Sequence, residues 1–254
     1  MKLKSVICLC FGLMMAAAAI SPLRAQNFAQ NFAQADKAPV VILPPDVAFA
    51  RFIALIRGHL LTADQLVAQR QYDVAQPHFR FPTEEIYGVI RAELRDYKTP
   101  AFDGLMKNLA RTANARGAKQ YPAALQKVEA ALAAADANLR TRQPNWPRFI
   151  VTVAIEVLKT APDEYDDAVV KGRIVRPIGY QTARGFILQA DRMIESVAAD
   201  FSGDNAAAVA DIRGGITQLK AVFTDVKASK QAPIDTTALD AMVAGIEKAA
   251  AKIT

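Results

Sequence analysis

The chain has 254 residues, of which 52% are hydrophobic and 22% are charged, with a formal net charge of +6. This length and apolar content exclude a wholly disordered chain, and 12 glycines and 13 prolines are too few for a collagen-like or low-complexity protein. Lys and Arg are spread along the sequence and form no basic block, so we expect no nucleic-acid partner.

The first 25 residues have the three parts of a secretory signal peptide. Lys2 and Lys4 precede an apolar run from Val6 to Ile20, and Ala25 is a plausible last residue before cleavage. A retained membrane anchor is the alternative, but the run is shorter than the roughly 20 residues that a spanning helix needs. We therefore expect export across the inner membrane, most simply to the periplasm, with no membrane span after signal removal.

Cleavage changes the chemistry open to the protein. Because Lys2, Lys4 and Arg24 are lost and no acid is lost, the net charge falls from +6 to +3. Both cysteines, Cys8 and Cys10, are also lost. A chain without thiols excludes disulfides, thiolate metal sites, cysteine nucleophiles and covalent c-type haem.

The sequence of residues 26–45 predicts an extended leader, because it contains several prolines and many polar residues. The segment Asn27-Phe28-Ala29-Gln30 is repeated at once at positions 31–34. Residues 46–254 show apolar positions at spacings of three and four, which predict helices. The predicted segments are 46–72 with Asp46 as N-cap, a helix from Thr83, one from Pro100 to Gly117, then 119–141, 148–160, 163–171, 177–201, 204–228 and a last helix capped by Asp235 or Thr236.

We find no alternating strand pattern and no hairpin dipeptide between apolar runs. The sequence thus predicts an all-α fold, an antiparallel helical bundle of about seven or eight helices. Pro144 and Pro147 suggest an alternative division into two halves, 46–143 and 144–254.

The common enzyme signatures are absent, including the phosphate-binding and dinucleotide-binding glycine motifs and the His-Glu-x-x-His zinc motif. We therefore expect a protein without enzymatic activity.

The two histidines lie close in sequence. His59 falls on the apolar face of the first helix, with Phe52, Leu55, Ile56, Ala63 and Leu66, while His78 lies in the segment Pro77–Pro82. Two imidazoles with Glu84 and Glu85, the nearest acids, would suit Fe, Cu, Zn or Ni. The alternative is a buried structural His59 and a solvated His78. If the segment is extended, Phe79 and Phe81 face one side and His78 faces the other, which opposes a pair with His59.

Two further acidic features stand out. Glu156 interrupts the apolar run 149–158, so it must be paired or protonated if buried; the candidate partners are Arg57, Arg173, Arg176 and Arg184. The acids at positions 163, 164, 166 and 167 suit a helix N-terminus.

Several segments resemble a family of exported proteobacterial helical proteins of undefined role. The segments are Arg57-Gly58-His59-Leu60, Pro77 to Tyr87, Glu164 to Val175 and Tyr180 to Phe186. They also resemble periplasmic helical segments associated with bacterial high-affinity iron permeases. The chain departs from that pattern at Gly179, where a Glu is usual, and at Phe81, near which a second His is common; both changes remove ligands.

Two functional hypotheses follow. The first is an exported, non-enzymatic helical protein that binds or handles a transition metal through His59, His78, Glu84 and Glu85. The second is a ligand-free adaptor that binds a protein partner in the cell envelope. The metal, the partner and the oligomeric state are not encoded in any motif that we find.

Overall fold

The fold described here is that of a computed structural model, which describes residues 42–115 and 119–254. The predicted signal peptide, most of the leader and the predicted helix end at Gly117 lie outside the described residues. All the described residues belong to one unit, Val41–Thr254.

Residues 42–115 and 119–143 form five helices and one π-helical turn. The long helix α1 is followed by a shorter helix that folds back over it, and α4 and α5 then complete this side of the bundle. Their bounds are α1 Pro45–Ala68, α2 Tyr72–Phe81, the π-helix Pro82–Ile86, α3 Tyr87–Ile90, α4 Asp103–Asn114 and α5 Tyr121–Arg140.

The second part of the chain contains four long helices, one short helix and a small hairpin. The elements are α6 Trp146–Leu158, α7 Ala161–Ala168, β1 Val169–Val170, β2 Arg173–Ile174, α8 Pro177–Glu195, a 3-10 turn Ala198–Asp200, α9 Gly203–Val222 and α10 Thr236–Ala250. The helix α8 packs against α6 and α9, and α10 packs against the same two helices, so the four close into a bundle.

The all-α prediction is confirmed, with eight helices of ten or more residues among the described residues. Two helices begin at the residues that the sequence predicts. Asp235 caps α10 by accepting a hydrogen bond from the Thr237 N–H (3.0 Å), and Pro177 is the first residue of α8. The first helix departs from the prediction because Pro44, not Asp46, is its N-cap.

A two-residue hairpin between α7 and α8 is the one strand pair in the described residues, so the prediction of negligible strand holds. Val169 pairs with Ile174 and Val170 with Arg173 in an antiparallel two-residue ladder. Lys171 and Gly172, with φ of 51° and 70°, form the turn between them. Two consecutive residues of positive φ suit a tight hairpin, but Lys-Gly is a weaker signal than Asn-Gly or Asp-Gly.

Glu156 is half-buried and its partner is not one of the four predicted arginines. The Lys159 ammonium lies 3.1 Å from the Glu156 carboxylate and 2.9 Å from that of Glu247 on α10. Because Lys159 is only three residues from Glu156 on the same helical surface, this pair was within reach of sequence reasoning.

The acids around α7 do not all favour its dipole. Asp163 and Glu164 lie in the first turn, as expected. Asp167 lies in the last turn of this eight-residue helix, where a negative charge is unfavourable, and it is paired with Arg176 at 3.1 Å.

The helices α1 and α8 cross in the centre of the molecule with their backbones in contact. A methyl group added to Gly185 would meet the Gly58 carbonyl oxygen and would lie 2.5 Å from the Thr62 hydroxyl. A methyl group on Gly58 would lie 2.6 Å from the Phe186 ring. Both glycines are needed because any side chain would push the two helices apart.

Among the described residues, no helix is both long enough and apolar enough to cross a membrane.

Gly185→Ala should therefore destabilise the fold, by about 1–3 kcal/mol, because the new methyl group overpacks the crossing. Gly214→Ala is the matched control: it is an exposed helical glycine with no atom within 4 Å of the added methyl group. That change should raise the free energy of unfolding by up to about 1 kcal/mol. Urea unfolding measures both, and equal effects at the two sites would contradict the crossing.

Candidate functional site

His59 lies on the buried face of α1, one residue after Gly58 at the crossing. Its side chain is only 5% exposed, as the apolar spacing predicted. The ring edge of Phe186, from α8, packs against it with ring centroids 5.3 Å apart and planes at 89°. His59 is thus held in a largely dry environment.

His78 lies in a helix and not in an extended connector, so that expectation was wrong. α2 runs through Pro77 to Phe81 and continues into the π-helix Pro82–Ile86. Pro82 has no N–H to continue the α-helical ladder, and the chain changes there to π-helical turns. The Thr83 hydroxyl donates to the Phe79 carbonyl, four residues earlier, at 2.8 Å. The helical backbone directs His78, which is fully buried, toward α1.

The two imidazoles meet directly. His59 Nδ1 and His78 Nδ1 are 3.2 Å apart, and the ring centroids are 5.5 Å apart. The centroid separation is close to the N–N distance plus the two ring radii, so the two nitrogens point at each other. This is the geometry of an N–H···N hydrogen bond, which requires one donor and one acceptor.

Gln181 on α8 determines which nitrogen is the donor. Its Oε1 lies 3.2 Å from His78 Nε2, so His78 carries its proton on Nε2 and donates it to the amide oxygen. The Nδ1 of His78 is then an acceptor, and His59 donates to it from Nδ1. The Gln181 backbone carbonyl is in turn bonded by the Thr62 hydroxyl at 3.1 Å.

Burial keeps both imidazoles neutral at pH 7. It lowers the pKa of His59 well below 6.5, and the nearby His78 lowers it further. Burial also lowers the pKa of His78 to about 4, although its hydrogen bond to Gln181 acts in the opposite direction. Neutral imidazoles retain the lone pairs that a metal ion needs.

The structure does not bring the two predicted glutamates into a cluster with the histidines. Glu84 is exposed and lies 3.7 Å from the Arg80 guanidinium. Glu85 is half-buried; its desolvation and the nearby Glu84 raise its pKa. Among the described residues, no group of three or more His, Cys, Asp or Glu side chains could together hold a metal ion. The role of Glu84 and Glu85 as ligands stays a prediction.

A half-buried carboxyl group, that of Glu164, lies near Glu85. Desolvation raises the pKa of Glu164 to about 7, with further increases from Asp167, Asp163 and Glu85 and an opposing effect from Arg176. Gly179 lies against the Glu164 backbone carbonyl, so the glutamate that the resembled pattern places at this position could not fit without moving α7 away from α8.

Sequence reasoning missed Gln181, Thr62 and Phe186. These residues are 3%, 0% and 2% exposed. Gln181 bonds His78, Phe186 packs against His59, and Thr62 bonds the Gln181 carbonyl. The signal that could have found Gln181 and Thr62 is a polar residue at a buried helical position, which must find a hydrogen-bond partner.

Residues 140–254 match the family model of the iron permease-associated 4-helix bundle domain. The match confirms the resemblance to helical segments associated with iron permeases. It covers slightly less than half of the chain and contains α6 to α10, including Gln181 and Phe186, whereas His59 and His78 precede it. No curated protein and no solved structure shows a significant match to the chain.

Acid should destabilise the protein through the histidine pair. The pKa of His78 is about 4 in the folded protein and about 6.5 in the unfolded chain. The contribution of neutral His78 to the free energy of unfolding is therefore fully present above pH 6.5 and is lost as the pH falls toward 4. For His78 alone the loss at pH 5 is about 2 kcal/mol. Urea unfolding from pH 7 to pH 5 should show a shallower loss for His78→Gln than for the wild type. Parallel losses would contradict the buried, neutral pair.

Proposed function

We propose that this protein binds a divalent transition-metal ion at the His59–His78 pair and handles it outside the cytoplasm. Iron is the ion that we propose as physiological. The observation that carries the proposal is the meeting of two neutral imidazole nitrogens 3.2 Å apart, contributed by two different helices. The buried polar pair requires an explanation because histidine is a good metal ligand and a poor core residue.

The spacing of the two nitrogens suits joint coordination. Two nitrogens bonded to one tetrahedral ion at 2.0–2.1 Å are about 3.3 Å apart, which is close to the 3.2 Å between the two Nδ1 atoms. The rings must tilt, because the two nitrogens now face each other and would have to converge on the ion. No net proton release is needed at His59, since its proton can move from Nδ1 to Nε2.

The number of ligands favours handling of the ion over permanent storage. Two protein nitrogens leave coordination positions for water or for a donor from another molecule, and an incompletely coordinated ion exchanges more readily than one in a closed four-ligand site. Imidazole nitrogens suit Fe, Cu, Zn and Ni by ligand type. The similarity of residues 140–254 to an iron permease-associated domain supports iron as the physiological ion.

The N-terminal sequence supports an extracytoplasmic location. Residues 1–25 have the pattern of a secretory signal peptide, and the chain after Ala25 contains no cysteine that would be oxidised outside the cytoplasm. Export and the absence of an enzymatic activity are parts of the proposal.

The adaptor hypothesis remains the alternative. It is favoured by the lack of a third ligand beside the histidine pair among the described residues. In that case the pair is a structural hydrogen bond that links α1, α2 and α8, and the function depends on a protein partner in the cell envelope.

Metal titration by calorimetry separates the two hypotheses. We expect the protein lacking residues 1–25 to bind Fe²⁺, measured without oxygen, or Zn²⁺ at micromolar concentration. His59→Ala and His78→Ala should each lower the affinity by about 10-fold or more, which is about 1.4 kcal/mol. His59→Gln and His78→Gln keep hydrogen-bonding groups and serve as better-folded second variants.

Three further variants define the ligand set. Glu84→Gln and Glu85→Gln test the predicted carboxylate ligands. Asp211→Asn is the control for surface binding, because its carboxylate is exposed and paired with Lys252 at 3.0 Å. If the wild type takes up no Fe²⁺, Cu²⁺, Zn²⁺ or Ni²⁺ at micromolar concentration, the metal hypothesis is wrong and the adaptor hypothesis replaces it.

A gain of a ligand provides an independent check. The Phe81 ring centroid lies 6.3 Å from that of His59, so Phe81→His places a third imidazole beside the pair. We expect the zinc affinity to rise by about 10-fold or more. Phe81→Leu, which adds no ligand, should leave the affinity near that of the wild type, and equal affinities for the two variants would contradict a metal site at the pair.

A further inference from the structure

A cavity lies on the side of α1 away from the histidine pair. Arg57 lines this cavity and His59 faces the pair; two residues apart on a helix, these side chains point in nearly opposite directions. The cavity has a volume of about 330 Å³ and lies between α1, α5, α6 and α8. This volume is at the lower end of the range for small-molecule sites.

One wall of the cavity is aromatic and its floor is apolar. Trp146 and Phe149 are stacked, with ring centroids 5.6 Å apart and planes at 29°. Ala50 and Ala54 from α1 supply small apolar surface opposite them, and Ile150 lies beside them. Such a lining suits the flat, apolar body of a ligand.

A buried amide faces the same space. Gln189 on α8 is 5% exposed, lines the cavity and has no hydrogen-bond partner among the residues that the structure describes. The amide atoms of Gln189 are not among the fully buried polar atoms that lack a partner in the described residues, so the amide is accessible from the cavity and can exchange water for a ligand. Gln189 is therefore a donor and an acceptor that a bound molecule could satisfy.

One arginine of the cavity lining is available to an anion. The carboxylates of Asp136 and Glu129 already contact Arg57, at 2.7 Å and 3.9 Å. Arg192, which also lines the cavity, has no ion pair within the described ranges, and Arg140 lies over the Trp146 ring at 5.8 Å. The lining itself contains two arginines and two acids, so its formal charge is balanced, and Arg192 is the guanidinium that is left without an acidic partner among the described residues.

We infer that this cavity binds a small carboxylate with an aromatic or arylalkyl body. The aryl group stacks on Trp146 and Phe149, the carboxylate pairs with Arg192, and the Gln189 amide N–H donates to a carboxylate oxygen. Arg57 is occupied by its two acids and shapes the wall. The site does not depend on the histidine pair, so it stands or fails separately from the proposed metal function.

Trp146 is the only tryptophan of the chain, so its fluorescence reports directly on the cavity. The probe is 4-phenylbutyrate, compared with its neutral amide, 4-phenylbutyramide, and with butyrate, which lacks the ring. We expect a saturable change of emission with 4-phenylbutyrate below about 1 mM. The amide and butyrate should each bind about 10-fold more weakly, because one lacks the charge and the other lacks the aryl surface.

Variants assign the contacts. Arg192→Gln, on an exposed part of α8, and Gln189→Met, of similar shape, should each weaken 4-phenylbutyrate binding by about 10-fold. Arg111→Gln, an exposed helical arginine away from the cavity, should leave the binding unchanged. The inference is overturned if no saturable change occurs up to about 1 mM, if carboxylate and amide bind equally, or if Arg192→Gln binds like the wild type.

Discussion

The close crossing of α1 and α8 is the constraint on which the site depends. Gly58 and Gly185 bring the two backbones together at the centre of the molecule, where a single methyl group would not fit. The approach lets the Thr62 hydroxyl reach the Gln181 carbonyl and places Phe186 against His59. It also joins the histidine-bearing first part of the chain to the part that matches the iron permease-associated domain. Wider separation would admit water and remove the contacts that order both imidazoles.

The exclusion of water gives the histidine pair its chemistry. In water an imidazole is partly protonated near pH 6.5, whereas burial holds His59 and His78 neutral to much lower pH. A neutral pair can share one hydrogen bond or bind one cation, and the two states differ in the tilt of the rings and the position of a proton. The opposite side of α1 has a different environment, with aromatic surface and guanidinium groups around the Gln189 amide.

The sequence was sufficient for the helices and for the burial of His59, because both follow from the spacing of apolar residues along one element. It was misleading for Pro77–Pro82, where two prolines indicated a break; the chain instead continues as an α-helix through Pro77 and as a π-helix from Pro82. The contact of His78 with His59 and Gln181 depends on how three helices pack, which no local pattern contains. The hairpin at Lys171–Gly172 was missed because its turn lacks the usual residues.

The most direct test of the histidine pair is a nitrogen-15 NMR spectrum of the imidazole rings, recorded between pH 7 and pH 5 and again with Zn²⁺. The structure predicts protons on His59 Nδ1 and His78 Nε2 throughout this range, since neither ring titrates near 6.5. With Zn²⁺, the His59 proton should move to Nε2 and both Nδ1 signals should shift as the metal binds. A normal titration near pH 6.5 at either histidine, or spectra that Zn²⁺ leaves unchanged, would contradict a buried, metal-binding pair.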